Sequence, residues 1–518
     1  MAVEPAFLDC IAAAIVALAA SVAIEAALAP RPALRRGTGA WALHAGSAVL
    51  AHAALVLVTG RPWFAASVAA ALLLILVQVS NAKQRALREP FVFQDYEYFT
   101  DAIRHPRLYI PFLGWPKFLA ATAGAVLAIA TGLWGEAPPA TRLAPSGQAG
   151  ACALLLALAA CLLAVGWRLR PAVTFEPGRD LQAHGLIACL LLYAVADRRL
   201  PAPVASAPPP AAPALARPAS ALPHLVAVQS ESFFDPRPLH PLIRRDVLAA
   251  FDRLKADGYA HGRLAVPAWG ANTVRSEFAF LSGLDGATLG VHRFNPYRAV
   301  AAGWQPPSLA RELRQRGYRT ICVHPYPASF YRRDRVYPRL GFDAFLDLGS
   351  FAGAPRSGPF VSDAAVAQRI EALLRDAEAP LFVFAITMEN HGPLHLERTT
   401  QADVEAAYAA PPPPGFDDLT VYLRHLRNAD RMIDALRDSL QRAGRPGHLC
   451  WFGDHVPIMP QVYATCGAPE GACDYALWTT EATQQARRRD LAVHELARVW
   501  GEEHWMIYGL PRVPRTRS

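Results

Sequence analysis

Six apolar stretches within the first 200 residues constrain this chain more than any other feature of its sequence. Each is close to the roughly 20 residues that a membrane-spanning helix needs. None carries charges every few residues, as a soluble amphipathic helix would. The stretches run approximately over Phe7–Leu28, Trp41–Thr59, Trp63–Val79, Phe118–Leu133, Ala151–Trp167 and Ala183–Ala196. The sequence therefore predicts a transmembrane helical domain of about six spans over residues 1–198,.

The basic residues between these stretches predict how the spans are oriented. They fall in alternate loops, which the positive-inside rule places in the cytoplasm. The three basic loops carry Arg31, Arg35 and Arg36, then Lys83, Arg85 and Arg88, then Arg168 and Arg170. Six spans would then put both termini outside, whereas five spans would break the alternation or need a re-entrant segment. The first stretch lacks a basic n-region and an obvious cleavage site, so we do not expect a cleavable signal peptide.

After the last stretch, residues 199–223 are a linker rich in proline and alanine. Such a segment is extended and semi-rigid, and it cannot form a core of its own. No later stretch is apolar over enough residues to cross a membrane. We therefore expect residues 224–518 to form one extracytoplasmic soluble domain.

This soluble domain alternates short apolar runs with helical patterns. The clearest helix has an apolar stripe from Leu419 to Leu440 and a stop at Gly444,. Alternation of this kind predicts an α/β domain whose sheet is covered on both faces. The runs that we expect to be buried parallel strands are Leu225–Gln229, Thr320–His324, Leu381–Met388 and Leu449–Gly453.

Polar residues suited to catalysis stand at the ends of all these predicted strands. Ligands bind beyond the carboxyl ends of the strands in such sheets. The strand ends carry Glu231, His324, Glu389-Asn390-His391 and Asp454-His455. Glu231, Asp454 and His455 together supply the carboxylate and imidazole ligands that a catalytic divalent ion takes. The sequence therefore predicts a metal site at this edge of the sheet.

Thr273 allows two interpretations. It follows a turn marked by Pro267, Gly270 and Asn272 and precedes an apolar helical pattern. A hydroxyl at that position could be a nucleophile, because backbone N–H groups and the helix dipole face the same space. A metal contact would favour its alkoxide. Alternatively, Thr273 is a helix cap, with Ser276 or Glu277 completing the turn.

The charge of the chain argues against a nucleic-acid partner. The formal net charge of +8 comes almost wholly from arginine. These charges are scattered, with no basic run interleaved with aromatic residues. The 53% hydrophobic content fits a membrane portion beside a soluble one,.

Five short motifs follow one another through the soluble domain: Glu231–Phe233 (E-S-F), Asn272–Phe278 (N-T-V-R-S-E-F), Phe330–Asp334 (F-Y-R-R-D), Asn390–Pro393 (N-H-G-P) and Gly453–His455 (G-D-H). Their order resembles the lipoteichoic acid synthase and phosphoglycerol transferase family. That family is a membrane-anchored group in the sulfatase-like branch of the alkaline phosphatase superfamily. The resemblance covers the whole chain, and it implies an α/β alkaline-phosphatase/sulfatase-like fold for the C-terminal domain.

The resemblance also implies roles for residues of this sequence. Thr273 would be the nucleophile, and the metal would be Mn2+, with Mg2+ or Zn2+ as alternatives. The implied metal ligands are Glu231, Thr273, Asp454 and His455. The implied substrate-binding residues are His391 near the phosphate and Arg333, Tyr331 and His324 around the glycerophosphate headgroup. The sequence departs from the family pattern at Tyr331, where an indole is expected, and around Thr273, where N-T-V-R replaces K-T-S-D.

The implied activity is a two-step transfer at the bacterial inner (cytoplasmic) membrane. Glycerophosphate would pass from phosphatidylglycerol to Thr273 and then to an envelope glycan, a polymer or water. The alternatives are a phosphoethanolamine transferase, a phosphodiester hydrolase of the same superfamily, or a non-catalytic membrane sensor or scaffold. A true sulfatase would need a C/S-x-P-x-R motif, which the turn before Thr273 lacks.

Two of the eight cysteines are candidates for a disulfide. Cys466 and Cys473 lie close together in the loop after Asp454-His455, and an extracytoplasmic location would permit a bond between them. A zinc knuckle is the rival interpretation, but no second Cys or His pair flanks them at ligand spacing,.

Overall fold

The structure is a computed structural model that describes residues 5–97, 115–136, 145–201, 222–481 and 485–502. By its internal contacts the chain divides into two compact units, Met1–Arg199 and Leu200–Ser518. Most of the predicted linker, residues 202–221, lies outside the described residues.

All the regular secondary structure in the described part of the first unit is helical. Its helices are α1 (Pro5–Glu25), α2 (Thr38–Thr59), α3 (Pro62–Leu87), α4 (Trp115–Gly135), α5 (Pro145–Leu169), α6 (Pro177–His184) and α7 (Leu186–Asp197). The described segments long and apolar enough to cross a membrane are four: Pro5–Glu25, Thr38–Thr59, Pro62–Leu87 and Gly147–Leu169. The predicted spans over Phe118–Leu133 and Ala183–Ala196 coincide with shorter apolar segments, Thr122–Gly135 and Leu186–Asp197.

Gly185 explains why the last predicted span is not one continuous helix. It separates α6 from α7 with a φ of +80°, a conformation that glycine adopts without strain. A Cβ at this position would stand 2.0 Å from Nη1 of Arg36. That nitrogen donates to the buried carboxylate of Glu25 at 2.6 Å, and Glu25 also accepts from the backbone N–H of Ile187 at 2.9 Å. The buried ion pair thus occupies the space at the helix break. The total of six spans stays a prediction.

The described strands of the second unit are β1 (His224–Ser230), β2 (Ala260–Ala265), β3 (Arg319–Val323), β4 (Ala344–Leu346), β5 (Arg356–Ser357), β6 (Phe360–Val361), β7 (Leu381–Ile386), β8 (Gly447–Gly453), β9 (Cys473–Thr479), β10 (Arg487–Arg488) and β11 (Leu491–Ala492). Nine of them form a mixed sheet with the order β10-β2-β9-β8-β1-β7-β3-β4 and β11 beside β2. The other two, β5 and β6, form a separate antiparallel pair.

Ten α-helices accompany these strands in the described part of the unit. They are α8 (Ala249–Asp257), α9 (Thr273–Ser282), α10 (Pro296–Ala301), α11 (Leu309–Gln315), α12 (Arg333–Leu340), α13 (Asp363–Arg375), α14 (Gln401–Ala407), α15 (Asp417–Arg442), α16 (Pro460–Cys466) and α17 (Val493–Glu502). The prediction of an α/β domain is confirmed.

The four strands expected from the sequence lie side by side at the centre of the sheet. β1 pairs in parallel with both β7 and β8, and β3 pairs in parallel with β7. Every residue of β1, β7 and β8 is buried, which explains their continuous apolar character. Because parallel strands end at one edge, the polar residues that follow them meet there.

The long helix expected around Leu419–Leu440 is α15, and Gly444 follows it with a φ of +67°. An imidazole and a carboxylate, those of His425 and Asp430, interrupt its buried apolar face. Asp430 accepts hydrogen bonds from the backbone N–H groups of Ala250 and Phe251, at 2.9 and 2.8 Å. It therefore satisfies two donors at the amino end of α8 that have no partner within that helix.

Candidate active site

Glu231, Asp454 and His455 meet at the carboxyl ends of β1 and β8. Their possible ligand atoms all lie within 4.8 Å of one another, and all three residues are buried. Nε2 of His455 is 3.5 Å from Oε1 of Glu231 and 3.4 Å from Oδ2 of Asp454. Two carboxylates and an imidazole form a donor set that suits a catalytic divalent cation.

Surrounding hydrogen bonds hold these side chains in place. Ser232, in the left-handed region with a φ of +54°, donates its backbone N–H to Oδ1 of Asp454 at 2.9 Å. Its hydroxyl donates to Oε1 of Glu231 at 2.9 Å. The backbone N–H of His455 also donates to Oδ1 of Asp454, at 2.9 Å. The ligand geometry is therefore fixed by the chain itself, as metal ligands require.

Two atoms of this cluster are buried without a hydrogen-bond partner in the described part of the chain: Oδ2 of Asp454 and Nε2 of His455. Leaving such atoms unsatisfied is costly. Burial, followed by the charge of Asp454, raises the pKa of Glu231. A cation bound between these atoms would satisfy both and offset the repulsion between the carboxylates. The residues present therefore fit a divalent metal ion.

Thr273 is the first residue of α9, and the N-cap is Asn272, whose side chain makes no capping hydrogen bond. Asn272 has a φ of +66°, so the turn before the helix is tight. The interpretation of Thr273 as the cap is therefore wrong. All ten residues of α9 are buried, an unusual degree of burial for a polar helix amino terminus.

Ser276 ties α9 to the metal-ligand cluster. Its hydroxyl donates to the backbone carbonyl of Asp454 at 2.7 Å. Thr273 lies three residues earlier, and residues at that spacing share a helix face. The face of α9 that carries Thr273 is therefore the face held against the loop of Asp454 and His455.

Two histidines predicted to contact substrate lie at the ends of β3 and β7. Nδ1 of His324 is 3.0 Å from the carbonyl of Ile386, and Nδ1 of His391 is 2.6 Å from the carbonyl of Gly392. Burial lowers the pKa of both imidazoles. Because a carbonyl only accepts, each neutral ring carries its proton on Nδ1 and leaves Nε2 as an acceptor. The charge of Asp454 partly offsets this lowering of the pKa for His391, whereas the charge of Arg333 adds to it for His324.

Arg333 and Tyr331 form the remaining part of the predicted headgroup site. The guanidinium of Arg333 is buried and lies 5.1 Å from the centre of the Tyr331 ring. It donates from Nε and Nη2 to the two carboxylate oxygens of Glu277, at 3.0 and 2.7 Å. The sequence interpretation missed this partner. The available signal was the position of Glu277 one turn after Thr273.

A second acidic cluster includes Glu389, which lies in the same loop as His391. His425 donates from Nδ1 to Glu389 at 3.0 Å and from Nε2 to Glu397 at 3.1 Å, and Asn428 also donates to Glu389. Burial alone would lower the pKa of His425, but its two carboxylate partners raise it to about 9. The sequence signal for this cluster was His425, which interrupts the apolar stripe of α15. A buried histidine on such a face predicts a polar partner, and the sequence interpretation did not include one.

Cys466 and Cys473 are both free thiols in the structure, so the expected disulfide between them is not formed. Cys473 begins β9, where it pairs with Leu264 of β2 and is fully buried. Cys466 ends α16 and is partly exposed. The two residues belong to different elements, and the packing of Cys473 in the core holds its thiol away from solvent.

Comparisons with known proteins find a matching family and similar sequences. The Sulfatase family profile matches residues 223–490. The capsular polysaccharide biosynthesis protein RkpI of Rhizobium meliloti is 31% identical over 290 residues, which are 55% of this chain and 49% of that protein. Lipoteichoic acid synthase 1 of Bacillus subtilis is 23% identical over 155 residues, which are 28% of this chain and 22% of that protein. The matched segments thus span about half or less of these relatives.

One solved structure matches nearly the whole chain. It is the integral membrane lipooligosaccharide phosphoethanolamine transferase A from Neisseria meningitidis, with a TM-score of 0.55. The match covers 95% of this chain and 93% of that one at 14% identity. At this identity the likeness shows the fold alone, a helical membrane region followed by a sulfatase-like domain.

Proposed function

Because the chain belongs to the sulfatase family and carries helices able to span a membrane, we propose that it is a membrane-bound, metal-dependent phosphoglycerol transferase. It takes glycerophosphate from phosphatidylglycerol and delivers it to an envelope glycan or polymer. The observation that carries the proposal is the position of Thr273, at the start of a buried helix that Ser276 ties to Asp454 of the metal-ligand cluster.

In the first step, Oγ1 of Thr273 attacks the phosphorus of the lipid phosphodiester. The bond from phosphorus to the diacylglycerol oxygen breaks, and diacylglycerol leaves with a proton. In the second step, an acceptor hydroxyl attacks the phosphothreonine ester, and Thr273 regains its proton. Glu231, Thr273, Asp454 and His455 would hold the divalent cation. It would favour the threonine alkoxide and offset charge on the phosphoryl oxygens, and we propose Mn2+ in this role.

The chain's own residues do the rest of the work. His391, a neutral imidazole with its proton on Nδ1, uses Nε2 to accept the proton of the acceptor hydroxyl. Arg333 donates to a phosphoryl oxygen, and the ring of Tyr331 forms a wall of the same pocket. His324 accepts a hydrogen bond from a glycerol hydroxyl through Nε2, an atom buried without a partner in the described chain.

We expect the surroundings of Arg333 to favour a glycerol headgroup over ethanolamine. A buried ammonium group is stabilised best by an anionic partner, and the carboxylate beside Arg333 is that of Glu277. Glu277 already accepts hydrogen bonds from Arg333, Tyr297 and Tyr337. Glycerol hydroxyls require no such partner. Phosphoethanolamine transfer is the second candidate, which the fold likeness across both units supports.

The similarity to a capsular polysaccharide biosynthesis protein supports a glycan as acceptor. A hydrolase that uses water in the second step is the remaining alternative within this chemistry. We place the second unit on the periplasmic side of the inner membrane, because the basic loops of the first unit alternate,. A reporter fused after Pro223 should be active only outside the cytoplasm. Labelling of Arg85 or its neighbours by an impermeant reagent on intact cells would contradict this orientation.

Covalent labelling tests the reaction. Full-length protein incubated with phosphatidylglycerol labelled in its headgroup should carry label on the peptide Ala268–Arg275. Thr273→Ala should carry none, because no ester can form. The variant should still fold, since the side chain of Thr273 does not cap the helix. Phosphatidylethanolamine labelled in its headgroup is the matched second substrate. Label on another peptide, or turnover by Thr273→Ala, would contradict the proposed nucleophile.

A further inference from the structure

We propose that Glu277 is a positioning residue that fixes the guanidinium of Arg333 beside the nucleophile. This inference rests on the proposed function of Thr273 and Arg333. Glu277 lies in α9, four residues and about one helical turn after Thr273,. Its side chain is fully buried, and its carboxylate is contacted by donors from two other helices.

Those donors come from α10 and α12. Arg333 grips the carboxylate as a fork, from Nε to Oε1 at 3.0 Å and from Nη2 to Oε2 at 2.7 Å. The hydroxyl of Tyr297 donates to Oε1 at 2.6 Å, and that of Tyr337 donates to the same atom. One carboxylate therefore joins three helices, and its own hydrogen-bonding capacity is used by residues of the chain.

The fork leaves one guanidinium nitrogen for a ligand. Nη1 of Arg333 is buried without a hydrogen-bond partner in the described chain. A guanidinium is planar, so fixing Nε and Nη2 also fixes the direction in which Nη1 donates. A buried donor of fixed direction suits an anionic oxygen, which in the proposed reaction is a phosphoryl oxygen of the substrate.

The helix that carries Glu277 also carries the nucleophile and a side chain bound to the metal-ligand loop. Within five residues, α9 carries Thr273, the Ser276 hydroxyl bound to the carbonyl of Asp454 at 2.7 Å, and Glu277. One turn of α9 therefore carries the nucleophile and also the two side chains that contact the metal-ligand loop and the arginine. Small displacements of reacting groups cost large factors in rate. We therefore expect the rate of the reaction to depend on how this turn is held.

Phosphate binding tests the inference without requiring turnover. Inorganic phosphate is titrated calorimetrically into the metal-loaded full chain and into Glu277→Gln, Arg333→Gln and the double variant. Each single variant should bind phosphate about tenfold more weakly, with unchanged metal content. The double variant should bind no more weakly than Arg333→Gln alone, because Glu277 acts through Arg333. Tyr297→Phe is the matched control: it removes a donor from the same carboxylate oxygen but leaves the arginine fork intact.

The control should keep phosphate affinity within about twofold even if it melts earlier. Wild-type affinity in Glu277→Gln, additive losses in the double variant, or an equal loss in Tyr297→Phe would each overturn the role of Glu277. If Glu277→Gln does not fold, Glu277→Asp keeps the charge but shortens its reach, and it should also weaken phosphate binding. Wild-type protein that binds phosphate but forms no Thr273 ester would contradict the proposed function and leave the role of Glu277 intact.

Discussion

Two clusters of acidic residues follow neighbouring strands of the same sheet, and they differ in where their balancing charge comes from. In the first cluster, Glu231 and Asp454 lie beside His455, and Asp454 Oδ2 has no hydrogen-bond partner in the described chain. In the second, Glu389 and Glu397 lie on opposite sides of the His425 ring and accept hydrogen bonds from it.

The pKa shifts of the carboxylates record this difference. Burial and Asp454 raise the pKa of Glu231. Burial would raise the pKa values of Glu389 and Glu397 as well, but His425 holds both below their usual range. The second cluster thus contains its own cation, an imidazolium. In the first, the buried Oδ2 of Asp454 has no hydrogen-bond partner in the described chain, and a cation from outside would satisfy it. Similar side chains thus form an internal ion pair in one place and a candidate ligand set in the other.

Removing the external cation should have the largest effect. Chelation of the metal should abolish labelling of Thr273, and added Mn2+ should restore it, because the first cluster has no internal substitute. The thermal midpoint should also fall, since a ligand present at 100 times its Kd stabilises by about 2.7 kcal/mol. Asp454→Asn should lose metal, measured by elemental analysis. His425→Gln is the control, and a loss of metal from it would break the distinction between the clusters.

Removing the internal cation should have the next largest effect. His425→Gln leaves Glu389 buried without its charged partner, which costs about 3–5 kcal/mol for a broken buried pair. The stability lost should depend on pH. The folded pKa of His425 is about 9, above its ordinary 6.5, so its contribution is complete below pH 6.5 and disappears as the pH rises through 9.

Thermal unfolding of the full chain at pH 6, 7.5 and 9.5 measures this dependence. The gap between wild type and His425→Gln should narrow with rising pH, by about 3 kcal/mol across the window at about 1.4 kcal/mol per pKa unit. A gap that stays constant or widens would mean that His425 is not held as an imidazolium by its carboxylate partners.

The smallest effect is expected at the rim of the second cluster. Arg424 pairs with Glu397 at 2.6 Å and with Asp403 at 3.1 Å, and its side chain is 25% exposed. Arg424→Ala should therefore cost about 1 kcal/mol or less, and less still at high salt. The difference in thermal midpoint between 50 mM and 500 mM salt checks this. A loss as large as that of His425→Gln would mean that Arg424 balances the buried acids as well.

The sequence alone predicted the class of the fold and the meeting of Glu231, Asp454 and His455 at one edge of the sheet. Continuous apolar runs predicted the central strands, and β1, β7 and β8 are buried over their whole length. The resemblance to a sulfatase-like, membrane-anchored family is confirmed by the family match. Because parallel strands end at one edge, residues that follow different strands, such as Glu231 and Asp454, could be brought together from sequence. These features depend on local periodicity and on chain direction, which a sequence states directly.

Only the tertiary structure decided which polar partners meet inside the domain. Glu277 and Arg333 are 56 residues apart, and Glu389 and His425 are 36 apart. Tertiary packing also left Cys466 and Cys473 unbonded although they are near in sequence, and it broke the last apolar stretch at Gly185 around a buried ion pair. The physical reason is that a hydrogen bond or ion pair depends on distances of a few ångströms between elements. Such distances follow from how helices pack on the sheet, and no local pattern of residues encodes them.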